Sequence, residues 1–220
     1  MTTLLRILQS SQNDDQKSAS RIHSLLTSPL GVPLPLHISL SAPLVLQTHN
    51  KDHFLTSMIS SLLATAKNLR LLTISPFQLS WHPNHERTRW FLVLRVTRPK
   101  EDEDAFEQLL EASNKVARDF DCLTLYSHHH QQTRKNLDVG KALENSTTGS
   151  SSVHDAFHIS IGWSLSLQKL LDEAGLQTAE IMRRVRDMQV SFSDVKIKLG
   201  KDVTSNPFGS TRPSKRGILG

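Results

Sequence analysis

Two periodicities of apolar and polar positions run along this chain, and the changes between them mark its elements. Leu4, Leu5, Ile7 and Leu8 recur at helical spacing, then give way to the polar run 10–20. An apolar stretch over 22–30 predicts another short helix, closed by the turn Pro29-Leu30-Gly31. Residues 36–46 alternate and are rich in branched side chains, which predicts a strand with Pro43 at an edge or a break. Over 52–67, Phe54, Leu55, Met58, Ile59, Leu62 and Leu63 repeat at i, i+3 and i+4, the stripe of an amphipathic helix. Strands over 71–81 and 90–97 flank the polar turn His82-Pro83-Asn84-His85-Glu86-Arg87, so a hairpin is expected between them.

Pro99 opens the next helix. Glu101, Asp102, Glu103 and Asp104 occupy its first turn, where negative charge meets the positive end of the helix dipole. Phe106, Leu109, Leu110, Val116 and Ala117 form its buried stripe. After a short apolar segment, 123–126, the residues 127–153 are polar and low in complexity, which predicts a disordered insert. Residues 157–163 read as a strand, 166–188 as mostly helix, and 190–199 as a strand followed by a last one near 203–208. Strands and helices mix without a βαβ rhythm, so the class is α+β with antiparallel sheet.

Composition narrows the function. The 220 residues are 37% hydrophobic and 21% charged, enough to bury a core, and no run reaches the ~18 apolar residues of a membrane span. The single cysteine, Cys122, makes neither an internal disulfide nor a cysteine-rich zinc site, and is expected to be a buried, inert thiol. A net charge of +5 and a pI near 9.5 permit a polyanionic partner without establishing one. None of the nine glycines forms GxGxxG or GxxxxGK, which removes dinucleotide-binding and P-loop readings.

The candidate chemistry lies in two segments of one pattern, Leu36-His37-Ile38-Ser39-Leu40 and Phe157-His158-Ile159-Ser160-Ile161. In a strand, residues i and i+2 share a face, so each segment presents an imidazole and a hydroxyl together while its apolar neighbours pack behind them. Side by side, the two segments suit cleavage of an RNA phosphodiester through the ribose 2′-hydroxyl. One histidine takes the 2′ proton, the other protonates the departing 5′ oxygen, and the serines donate to the nonbridging oxygens. No metal or cofactor is required. Chance alone supplies about two His-x-Ser/Thr triplets in a chain this rich in histidine, so the pattern fits either a paired site or two satisfied strand histidines.

The two triplets resemble those of the 2H phosphoesterase superfamily, and the wider context resembles its U6 small nuclear RNA phosphodiesterase family. The matching stretches are PLPLHISLSAPLVL, NHERTRWFLVLRV, LTLY, FHISIGW and VKIKLGKDVTSNPF, which cover most of residues 30–210. The resemblance implies a two-lobed, pseudo-symmetric 2H fold, its antiparallel sheets lining a central cleft with helices outside. It implies a metal-independent 3′→5′ exonuclease that trims the oligouridine end of U6 RNA and leaves a 2′,3′-cyclic phosphate. His37 and His158 become the catalytic histidines, with Ser39 and Ser160 as their phosphate-binding partners. Tyr126 takes the place of an aromatic that stacks on the terminal base, and His85, Phe157 and Ile159 are further substrate-binding candidates. The implied partner is RNA, with no membrane, and the chain is expected to act as a monomer in the nucleus. Residues 1–220 are expected to form one two-lobed domain, lacking a strand that family members carry upstream of the first helix. A cyclic phosphodiesterase without exonuclease action and a catalytically dead RNA-binding relative are the alternatives.

Other features carry less. His128, His129 and His130 are adjacent and cannot all converge on one metal ion. Trp163 is expected in the core, propping the strand that bears His158. The basic residues Arg183, Arg184, Arg186, Lys196, Lys198 and Lys201 suit a solvated face and an RNA-guiding surface about equally.

Overall fold

The computed structural model describes residues 22–84, 86–126, 157–166, 183 and 185–210. The expected helix at 1–8, the insert at 127–153, His85, His128–His130 and most of the helix expected over 166–188 lie outside them. Seven strands and two α-helices follow in chain order among the described residues. They are β1 (His23–Ser24), α1 (Lys51–Thr65), β2 (Leu72–Pro83), β3 (Trp90–Thr97), α2 (Lys100–Asp119), β4 (His158–Ser164), β5 (Val190–Phe192), β6 (Asp194–Leu199) and β7 (Asp202–Pro207). All strand pairs are antiparallel, as the α+β reading requires.

The chain divides into two compact units. Residues 1–39, 75–97 and 157–189 form the first; 40–74, 98–156 and 190–220 form the second. In the first unit the strands run β1-β4-β3-β2. The centre of this sheet is apolar because alternate residues point inward. Leu79, Leu92, Val93, Leu94, Ile159 and Ile161 are fully buried there.

The β2–β3 turn accounts for the Asn-x-Glu-x-Thr-Arg pattern. Asn84 Oδ1 accepts from Arg89 N–H at 2.9 Å, and its Nδ2 donates to Thr88 Oγ1 at 2.9 Å. Arg87 sits in the left-handed region at φ 54°, inside the turn closed by Asn84 O and Arg87 N–H at 3.0 Å. Asn84 and Thr88 thus shape the hairpin, with the side chain replacing backbone partners as such residues do in turns.

Two of the expected elements do not form. Residues 22–30 form no helix: after β1 the chain makes a tight reversal, with a bridge from Thr27 to Pro33 and Gly31 at φ 78°. Pro29 and a left-handed Gly31 terminate any helix there. Nor do residues 36–46 form a regular strand; the segment makes one isolated bridge, Ile38 to Ile159. Pro33, Pro35 and Pro43 lack the N–H that a continuous ladder needs, and between them the segment meets β4 at Ile38 alone.

In the second unit the amphipathic stripes appear as expected. Phe54, Met58 and Leu62 of α1 and Phe106, Leu109, Leu110, Val116 and Ala117 of α2 are buried, and the two helices pack together. The acidic start of α2 does more than offset the dipole: Asp102 accepts a hydrogen bond from Thr73 N–H at 2.9 Å, anchoring the helix to the first residues of β2. The strand expected over 190–199 is two. β5 pairs with Leu72–Ile74, whereas β6 pairs with β7 through the two-residue turn Gly200-Lys201. Gly200 has φ 66°, the conformation that the first position of such a hairpin demands.

Candidate active site

The isolated bridge that replaces the expected first strand is what brings the two triplets together. Ile38 pairs with Ile159 antiparallel. The residues on either side then fall opposite each other, His37 beside Ser160 and Ser39 beside His158, on the face turned away from the two isoleucines. Burial agrees with that geometry: Ile159 is fully buried and Ile38 half-buried, while His37 and Ser39 are exposed and His158 and Ser160 half-exposed. The triplets lie one in each half of the sequence, yet both belong to the first unit.

Local detail fixes the two histidines differently. His158 stands on a central strand, paired across to Arg95 of β3. Its ring lies 5.9 Å from that of His82, with the planes 6° apart. His37 stands on the proline-rich edge, its Nδ1 3.4 Å from the Pro35 carbonyl. With a proton on Nδ1, that carbonyl accepts it and orients the ring. Next to Ser160, β4 carries an extra residue: Leu92 and Val93 are consecutive on β3 but face Gly162 and Ser160. The bulge at Ile161 kinks the strand just beyond the hydroxyl, a common device beside active sites.

The register extends this face across the sheet. Ser39, His158, Arg95 and Gln78 form one row, and His37, Ser160, Val93 and Ser80 the next. Ser80 Oγ is buried with no hydrogen-bond partner. Neither Arg95 nor His82 was singled out from the sequence. The signal was present for Arg95, a lone charge inside the apolar run Phe91–Val96, and absent for His82, which reads as the start of a turn.

The remaining candidates divide. Phe157 and Ile159 are 0% exposed, so their side chains are core and not substrate contacts; alternation along β4 points them away from the face that carries His158. Trp163 is half-exposed rather than core. It stacks on His23 with centroids 4.2 Å apart, and the Arg89 guanidinium lies 4.8 Å from its ring centroid. Cys122 is half-buried, its Sγ 3.4 Å from the Phe120 carbonyl.

Tyr126 belongs to the second unit. The buried Asn114 holds the residue before it at both ends, donating to Leu125 O at 2.9 Å and accepting from Leu125 N–H at 2.8 Å. Tyr126 itself is left-handed, at φ 59°, and burial pushes its phenol up to about 12. Of the basic cluster, Arg183, Arg186, Lys196, Lys198 and Lys201 are exposed; Arg184 lies outside the described residues. No group of three or more His, Cys, Asp or Glu side chains among the described residues could hold a metal ion, and no described helix is long and apolar enough to cross a membrane.

Known proteins match this chain along most of its length. The model of the HVSL family, described as an uncharacterised conserved protein, matches residues 1–207. U6 snRNA phosphodiesterase 1 of Neurospora crassa is 30% identical over 229 residues, covering 90% of this chain and 55% of the relative. The chain therefore spans about half the length of that curated protein. Kluyveromyces marxianus Usb1 shares the fold with a TM-score of 0.57 at 13% identity, covering 94% of this chain and 91% of the other. The same protein with uridine monophosphate gives a TM-score of 0.54 at 14% identity, covering 94% and 92%. The mixed α/β architecture with antiparallel sheets is thus that of Usb1, and the chain belongs to the HVSL family, the family of the U6 small nuclear RNA phosphodiesterases.

Proposed function

We propose that this chain is a 3′→5′ RNA phosphodiesterase that trims the oligouridine end of U6 small nuclear RNA and leaves a 2′,3′-cyclic phosphate. The observation that carries the reading is the Ile38–Ile159 bridge, which sets an imidazole and a hydroxyl from each triplet on one face. The family, and the activity for which the Neurospora crassa relative is named, support it.

In the proposed reaction His158 takes the proton of the penultimate 2′-hydroxyl. The 2′ oxygen bonds to phosphorus, the bond from phosphorus to the 5′ oxygen breaks, and His37 protonates that oxygen as the last residue departs as a 5′-hydroxyl nucleoside, the phosphate staying behind as the cyclic end. Ser39 and Ser160 donate to the nonbridging oxygens as charge builds on them. His158 suits the base because a central strand holds it. Its partner on the exposed edge has room for a leaving group. Tyr126 stacks on the terminal base. The reading carries with it the two-lobed, pseudo-symmetric 2H arrangement of residues 1–220, a nuclear place of action and a monomeric state.

The test is trimming of a 3′ oligouridine RNA in excess chelator, beside an RNA with deoxyribose at the penultimate position. The natural RNA is shortened to cyclic-ended products and the deoxy RNA is not; equal cleavage of both excludes 2′-hydroxyl attack. His37→Ala and His158→Ala each abolish trimming, and a fully active variant removes its residue from the chemistry. Mapping the end group separates this activity from a cyclic phosphodiesterase, which opens cyclic ends without shortening the chain.

A further inference from the structure

We propose that Arg95 is the RNA-backbone grip of this site, binding the internucleotide phosphate one step to the 5′ side of the cleaved bond. The inference rests on the reading of His158 as the base on the penultimate 2′-hydroxyl.

Register gives the position. Arg95 is the cross-strand partner of His158, so both side chains leave the same face of the sheet, with Cβ atoms about 4.5–5.5 Å apart. The four triplet side chains flank the scissile phosphate from β4 and from the edge segment. Arg95 stands on the other flank of His158, on β3. A chain whose 2′-hydroxyl meets His158 continues, in its 5′ direction, past that histidine, and its next phosphate comes to the arginine.

The guanidinium is also held in place. Its Nη1 donates to Gln78 Oε1 at 3.3 Å, and its carbon lies 5.6 Å from the Phe77 ring centroid. Phe77 reaches this position through an irregularity. Pro76 and Gln78 face Val96 and Arg95, neighbours on β3, so Phe77 is the extra residue of a β-bulge. Pro76 cannot donate to the ladder, which is why the bulge falls there. The result is a half-buried planar cation on an aromatic platform, the arrangement that binds phosphate with two parallel hydrogen bonds.

A two-way perturbation tests this. Oligouridine is prepared with a neutral methylphosphonate at the linkage just 5′ of the penultimate nucleotide, leaving the scissile phosphate untouched. For the wild-type chain this neutralisation lowers kcat/KM about tenfold or more, the size of one charge-assisted hydrogen bond. In Arg95→Met the same neutralisation costs nothing further, because the two changes remove one interaction. Arg95→Gln is carried through the same comparison in case the methionine variant does not fold. A wild-type chain indifferent to the methylphosphonate overturns the proposal without any variant, and so does an equal penalty in wild type and variant. Failure of the underlying reading looks different: His158→Ala then trims the unmodified RNA normally, whereas failure of the Arg95 proposal alone leaves His158→Ala inactive.

Discussion

Tyr126 is the sole tyrosine of the chain, which makes its ionisation directly observable. Asn114 pins the backbone of Leu125, the chain turns left-handed at the next residue, and burial raises the Tyr126 phenol from 10.0 to about 12. Raising the phenol that far amounts to about 2–3 kcal/mol against forming the phenolate in the folded chain. In the unfolded chain the phenol loses its proton near 10, while the native phenol keeps it until about 12. Below pH 10 both states are protonated and Tyr126 adds no pH dependence. Between 10 and 12 the native state binds more protons than the unfolded one, so this residue's contribution to stability falls as pH rises. Above 12 the loss is complete. Near-ultraviolet absorbance follows phenolate formation in native protein and in urea, and the native curve lies toward higher pH. Lysines titrate in the same range, so urea midpoints at several alkaline pH values are compared with those of Tyr126→Phe, which lacks the tyrosine's share of the decline. Coincident native and urea titration curves would refute the burial of the phenol. An alkaline decline identical in Tyr126→Phe would refute the linkage.

Tyr126→Ala weakens binding of a deoxy-blocked oligouridine by about 1–3 kcal/mol, roughly five- to 150-fold, whereas Tyr126→Phe retains the stacking face and most of the affinity; fluorescence anisotropy reads both. Asn114→Ala leaves the Leu125 N–H and carbonyl without their side-chain partner and costs about 1–3 kcal/mol in urea denaturation, and it brings the Tyr126 titration down toward 10. Ile159→Val removes one methyl group at the fully buried centre of the bridge and lowers stability by about 0.5–1.5 kcal/mol with an unchanged denaturant slope.

The sequence made α1, the β2–β3 hairpin, α2 and β4 legible because the helices carry a clear helical stripe and the strands are apolar runs bounded by polar turns. Leu109 recurs on the helical stripe, and Ile159 and Ile161 flank Ser160 in alternation. Where local pattern and hydrogen-bonding capacity disagree, pattern misleads. The run at 36–46 alternates like a strand, but Pro43 within it and Pro35 before it cannot donate to a ladder, and it contributes one bridge. Residues 22–30 carry apolar spacing for a helix, yet Pro29 and Gly31 turn the chain back on itself. The site was legible as residue types and spacing, and its geometry was not. The Ile38–Ile159 register, the bulge at Phe77 and the row that joins His158 to Arg95 are long-range pairings with no mark within either strand.

The failed strand bears on the chemistry that the site is proposed to perform. A continuous ladder would have fixed His37 as firmly as His158. The prolines prevent this, so one histidine rides on a strand laddered between β1 and β3, and the other on an edge that meets that strand by one bridge, at Ile38. The two proton transfers ask for different things. Removing the 2′ proton requires a base held within hydrogen-bond reach of one oxygen, in line with the bond to be broken, and a rigid support supplies that. Delivering a proton to the departing 5′ oxygen requires a group that can follow it as the bond lengthens, and that the product can pass on leaving. An exposed residue on a singly bridged edge meets that demand, with the Pro35 carbonyl to orient the ring. On this reasoning the prolines that spoil the strand prediction belong to the working design. Replacing Pro35 would restore one ladder N–H and firm the edge, and with it slow release of the nucleoside.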